Sequence, residues 1–113
     1  MRLDEILKMT EAELICGDLD DRDITTAFSS DLMSDVLTVE ADDAVLVTGL
    51  TNIQAIRTAE MADITCILFV REKEVTPNMI RLAKESDIIL MKSRYTMFQV
   101  CGILYQTGLK PVF

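Results

Sequence analysis

Three short polar segments stand out because each directly follows an apolar run. They are Thr48-Gly49-Leu50-Thr51-Asn52, Arg71-Glu72-Lys73 and Lys92-Ser93-Arg94. If the apolar runs are strands of a parallel sheet, these segments lie at the strands' carboxyl ends, where open α/β sheets bind their ligands. Two of them lead into helix N-termini, whose unpaired N–H groups and dipole favour anions. Thr51 and Ser93 supply hydroxyls, and Arg71 and Arg94 supply positive charge. The chemistry this suggests is the binding of a small phosphate, a carboxylate or a nucleotide. Its candidate residues are Thr48, Gly49, Thr51, Asn52, Arg71, Ser93 and Arg94. The same hydroxyls can also cap their helices with no ligand present, and both readings stay open. Gly49 is not followed by the Gly-Lys-Ser/Thr of a Walker loop, so a wrapped triphosphate is not expected.

Catalytic groups are sparse. The chain has no histidine, which removes the commonest general base, the commonest zinc ligand and every Ser/His or Cys/His pair. Cys16, Cys66 and Cys101 are far apart and odd in number, so they fit neither a disulfide framework nor a CxxC metal knuckle. Cys66 lies in an apolar run and reads as a small buried hydrophobe. Asp18, Asp20, Asp21 and Asp23 form the densest carboxylate cluster. Counted from Asp18, however, the sixth and twelfth positions hold Asp23 and Ser29 instead of the glycine and glutamate of a calcium loop. A solvated turn is the expectation there, and no metal or cofactor is expected. Ser29, Ser30 and Asp31, with Asp35 one turn on, form a polar step with no base to activate a hydroxyl. An enzyme using Asp31 or Asp35 with a metal ranks last among the readings.

Net charge is −8, from 19 acidic and 11 basic residues, and the basic side chains are interleaved with glutamates. A nucleic-acid role would need a basic patch that outweighs this field, and none is present. The sequence turns acidic at Asp4 and Glu5, and its longest apolar stretch, residues 64–70, is far short of the roughly 20 residues of a membrane span. The expectation is a cytoplasmic protein that engages neither nucleic acid nor membrane.

The elements that must position these residues follow from periodicity. Leu3, Ile6 and Leu7 mark a short helix, and residues 13–16 a small strand stopped by Gly17. Residues 24–28 read as a strand, with Ser30 capping a helix through Leu32, Met33, Val36 and Leu37. Residues 44–47 form a continuous apolar strand. Thr51 and Gln54 then read as the capping box of a helix with Ile53, Ile56 and Met61 on one face. Residues 64–70 are the next strand. Thr76 and Pro77 open a helix with Met79, Ile80 and Ala83 inward. Residues 87–91 form another strand, and Ser93 caps a last helix carrying Met97, Phe98, Cys101, Leu104 and Tyr105, closed by Gly108. Strands with continuous apolar character alternate with amphipathic helices, which predicts one α/β domain over residues 1–113 with a mainly parallel sheet of βαβ units.

Several segments also resemble a known family. Glu13-Leu14-Ile15-Cys16-Gly17, Arg22-Asp23-Ile24-Thr25 and Ser29-Ser30-Asp31-Leu32 are similar to the N-terminal domain of HPr kinase/phosphorylase. So are Phe69-Val70-Arg71, Pro77, Met79-Ile80, Ala83 and Ile88-Ile89-Leu90. The second half also resembles the DRTGG domain found beside CBS domains. DRTGG sequences tend to carry Gly-Asp-Arg and Thr-Gly-Gly at the strand ends where this chain has Gly49-Leu50-Thr51 and Val70-Arg71-Glu72, so Gly49 alone matches. The resemblance implies a three-layer α/β accessory domain, similar in fold to the nucleotide-contacting N-terminal domain of Mur ligases, without the P-loop-bearing kinase domain. It further implies a non-catalytic regulatory or assembly module that forms a homodimer and meets a protein partner. The alternative is a sensor that binds a nucleotide or phosphorylated metabolite at the strand ends.

Overall fold

The computed structural model describes residues 1–113. A six-stranded sheet runs in the order β1-β5-β4-β3-β2-β6. Its strands are β1 (Ala12–Cys16), β2 (Thr26–Ser29), β3 (Ala44–Thr48), β4 (Cys66–Phe69), β5 (Ile89–Ser93) and the two-residue β6 (Lys110–Pro111). All neighbours pair parallel except β1, which runs antiparallel to β5 at one edge with a bulge between Leu14 and Cys16. This is the mainly parallel α/β architecture that the alternating pattern predicts.

Continuous burial of β3 and β4 has a direct cause. Alternate side chains of each strand enter different cores, so neither face is free to be polar. Leu46, Ile67, Phe69 and Leu90 point into one core, with Val36, Ile56, Met79 and Ala83 from the covering helices. Those helices are α2 (Met33–Val36), α3 (Ile53–Met61) and α4 (Pro77–Glu85). Val45, Val47, Cys66, Leu68 and Met91 point into the other core, against Leu3 and Ile6 of α1 (Leu3–Met9) and Val100 and Leu104 of α5 (Met97–Gln106). The chain steps from β2 to β5 in one direction and then returns to β6. With crossovers of one hand, that reversal puts α5 on the face opposite α2, α3 and α4.

Helix starts differ from the sequence expectation at three places. Asn52, not Thr51, caps α3, its side chain accepting a hydrogen bond from Ala55 N at 3.1 Å. Thr51 instead turns its hydroxyl back to Gly49 O at 3.3 Å. Thr96, not Ser93, caps α5 in a reciprocal box with Gln99. Leu32 precedes α2, while Ser30 Oγ accepts from Leu32 N at 2.9 Å in a local turn. At α3 and α5 a competing polar residue within three positions supplies the better-placed oxygen, whereas α2 has no side-chain cap and Ser30 closes a turn of its own. The α4 start is as predicted, with Thr76 capping Met79 N and Pro77 first in the helix. Met61, expected inward, is 70% exposed.

Candidate functional site

The carboxyl ends of β2, β3, β4 and β5 meet along one rim of the sheet, and the candidate residues divide there into distinct groups. Thr48, Gly49, Thr51 and Asn52 form a single turn between β3 and α3. Two of its amides are engaged within the fold. Gly49 N donates to Asp31 Oδ1 at 2.7 Å, and Thr48 Oγ1 donates to the same oxygen at 3.1 Å. Leu50 N donates to Thr48 Oγ1 at 3.1 Å. From the β4 end, Lys73 Nζ donates to Gly49 O at 2.5 Å. One peptide plane on either side of Gly49 is therefore held by a carboxylate from β2's end and an ammonium from β4's end. A Cβ at Gly49 would sit 3.4 Å from both Asp31 carboxylate oxygens.

Arg71 and Glu72 carry β4 into its following loop through two successive left-handed residues, φ +67° and +53°. Left-handed backbone is uncommon outside glycine, and two in a row make a tight turn of the mirror-image kind. The turn is pinned to β5's end by Arg71 N to Tyr95 O at 2.8 Å and Glu72 N to Ser93 O at 3.0 Å. The Arg71 side chain is exposed and takes part in no ion pair or hydrogen bond.

Ser93 lies inside β5, fully buried, not at a helix start. Its hydroxyl donates to Thr10 O at 2.6 Å and accepts from Tyr95 N at 3.0 Å, which ties α1's end to β5. Arg94 turns to the β1 side, where it pairs with Glu11 at 3.1 Å and lies over the Tyr95 ring. Lys92, only 17% exposed, bridges Glu13 and Glu72 at 3.6 and 3.4 Å. The rim thus alternates cations with carboxylates, and the charges are largely paired.

Sequence reading missed two things here. Asp31 and Lys73 hold the Gly49 turn, although neither is near it in the chain, and no local pattern marks such a long-range bond. An open cavity of about 660 Å³ lies at the opposite end of the sheet, by the start of β5 and the end of β1. Cys16, Ala83, Ile88 and Ile89 line it, with Arg22 and Lys84 facing Asp18, Asp20 and Asp87 at its polar side. Arg22 is spoken for: its guanidinium grips Asp20 at 2.8–3.1 Å and donates to Thr65 Oγ1 at 2.8 Å. Those hydrogen bonds hold the Asp20 carboxyl below its ordinary range and raise the Arg22 guanidinium. Burial pushes the Cys16 thiol up, with Lys84 opposing, and burial pushes Cys66 up to about 12. No group of three or more Cys, Asp or Glu side chains converges as metal ligands would. No helix is long and apolar enough to cross a membrane.

No family model and no curated protein matches the chain. Among solved structures it is similar to the CBS and DRTGG domains of the regulatory region of Clostridium perfringens pyrophosphatase, a structure complexed with the activator diadenosine tetraphosphate. The TM-score is 0.78 at 14% identity, covering 96% of this chain and 47% of the other. The chain thus spans about half the length of that regulatory-region chain. Similarity of this kind defines a DRTGG-like three-layer α/β fold.

Proposed function

We propose that this chain is a non-catalytic regulatory module that works by pairing with a second copy and docking on a protein partner in the cytoplasm. The observation that carries the reading is the occupied Gly49 peptide at the strand-end rim. In an α/β enzyme the reacting groups project from these loops, whereas here Asp31 occupies the Gly49 amide and Lys73 the Gly49 carbonyl. An anionic substrate would have to displace a carboxylate already in place. The shared fold with a regulatory region adds support from a second direction. Size-exclusion chromatography with light scattering tests it: the expected mass is twice the 12.7 kDa of the chain, and a strict monomer at high micromolar concentration would remove the self-association.

The second reading is a nucleotide or phosphometabolite sensor at the same rim. It is favoured by the exposed Arg71 on its left-handed turn at the end of β4, the strand paired with β3, whose own end leads into the Asn52-capped start of α3, since strained turns concentrate at ligand clamps. The fold neighbour was solved with a dinucleoside polyphosphate. A thermal-shift panel containing diadenosine tetraphosphate, ATP and sugar phosphates tests this. A native-state ligand stabilises by about 2.7 kcal/mol at a hundredfold excess over its Kd, and Arg71→Ala should abolish that gain. No response across the panel, or one indifferent to Arg71→Ala, would end this reading.

A further inference from the structure

α5 is the one helix of the five with no charged residue between its ends. Its inner face, Val100 and Leu104, is packed on the sheet. Its outer face carries Phe98 and Tyr105, 82% and 73% exposed. Seven residues apart, they project from the same side. Between them Gly102 leaves a notch, where a Cβ would meet nothing within 4 Å. Next to Tyr105 a recess of about 160 Å³ opens between α5 and the sheet, lined chiefly by Ala27, Val47, Cys101, Leu104, Leu109 and Pro111. A helix with no charged residue lacks the strongly solvated face of a surface helix, and within one chain α5 is covered on one side only.

We infer that the outer face of α5 is the surface on which a second copy of this chain docks, helix against antiparallel helix, with the two-fold axis between Cys101 and Gly102. This rests on the self-associating module proposed above and names its interface. The argument for a second copy is that the face is complementary to itself. A two-fold contact requires that if residue i meets j, then j meets i. The midpoint between Phe98 and Tyr105 falls between Cys101 and Gly102, so Phe98 of each copy comes opposite Tyr105 of the other, beside the recess. A cavity of ~150 Å³ holds a benzene ring, so the recess is the right size for the Phe98 ring. At the axis Gly102 lets the two backbones approach closely.

Charge and area point the same way. Two chains of net charge −8 repel, and α5 offers a contact in which no carboxylate of the helix faces another; its outer polar residues, Gln99 and Gln106, are neutral. Four aromatic side chains at roughly 150–250 Å² each supply about half of the ~1,600 Å² that a standard interface buries.

The test is light scattering on the full chain and three variants, with far-ultraviolet circular dichroism to confirm that each is folded. The wild type and Met61→Glu, an exposed site on the opposite face, should both run as dimers. Phe98→Glu should run as a folded monomer at the same concentration. Gly102→Leu fills the notch while improving helix propensity, and it should also halve the mass. If the wild type is a dimer and both α5 variants remain dimers, this interface is wrong while self-association stands. If the wild type is itself a monomer at high micromolar concentration, the interface and the self-association fall together.

Discussion

The Asp31 carboxylate accepts the Gly49 amide at 2.7 Å and the Thr48 hydroxyl at 3.1 Å, so β2's end closes the turn that follows β3. A carboxylate here does what an anionic ligand would do, so the Gly49 amide is already occupied. Asp31→Ala should therefore have two effects. Stability should fall by about 1–2 kcal/mol, the lower part of the range for hydrogen bonds to a charged group because Asp31 is exposed. At the same time the freed Gly49 amide should make the fold more responsive to inorganic phosphate in thermal shift than the wild type is. Equal phosphate responses would show that Asp31 does not occupy an anion position.

Ser93 and Arg94 adjoin in sequence but should behave oppositely. Ser93→Ala leaves Thr10 O and Tyr95 N without their buried partner, at a cost of about 1–3 kcal/mol. Arg94→Ala breaks one exposed pair with Glu11 and should change stability by less than about 1 kcal/mol. Urea denaturation of both variants separates them; similar losses would contradict the placement of Ser93.

Much of the fold was legible in the sequence, and the reason is physical. β3, β4 and β5 read as continuous apolar runs because both sheet faces are covered, and Thr76-Pro77 marks α4 because a cap and a first-turn proline act locally. The caps of α3 and α5 were misplaced by one and three residues because Thr51, Asn52, Ser93 and Thr96 are all competent, and only the path of the chain selects among them. The β3–α3 turn could be located, since a strand end followed by Gly49 is a local signal. Its partners could not: Asp31 and Lys73 lie 18 and 24 residues from Gly49, and β1's antiparallel docking on β5 is set by sheet order.

The caps give a direct comparison. Asn52→Ala removes the acceptor for Ala55 N and should cost about 1 kcal/mol, the usual loss for an N-cap. Thr51→Ala, which loses a hydroxyl bonded only to Gly49 O, should cost a few tenths of that. A larger loss for Thr51→Ala in thermal unfolding would restore it as the cap.

Cys66 gives a pH dependence of known sign. The thiol titrates at 9.0 in its ordinary state and is pushed up to about 12 in the fold by burial. The unfolded chain therefore gives up this proton first. The stability tied to it is intact below pH 9 and lost as pH rises toward 12, with a limiting slope of about 1.4 kcal/mol per pH unit. Replacing Cys66 with alanine should flatten the stability profile above pH 9 relative to wild type, and identical profiles would count against it. In Phe98→Glu, expected to be a monomer, a thiol reagent should modify Cys101 first, because Cys16 and Cys66 are buried.

The proposed native state of this chain is a pair. Thermal unfolding measured over a roughly hundredfold range of protein concentration tests it most directly, because unfolding of a dimer to two chains is governed by mass action. For a pair, the midpoint should rise steadily with concentration in the wild type and stay fixed in Phe98→Glu. A wild-type midpoint independent of concentration would contradict it.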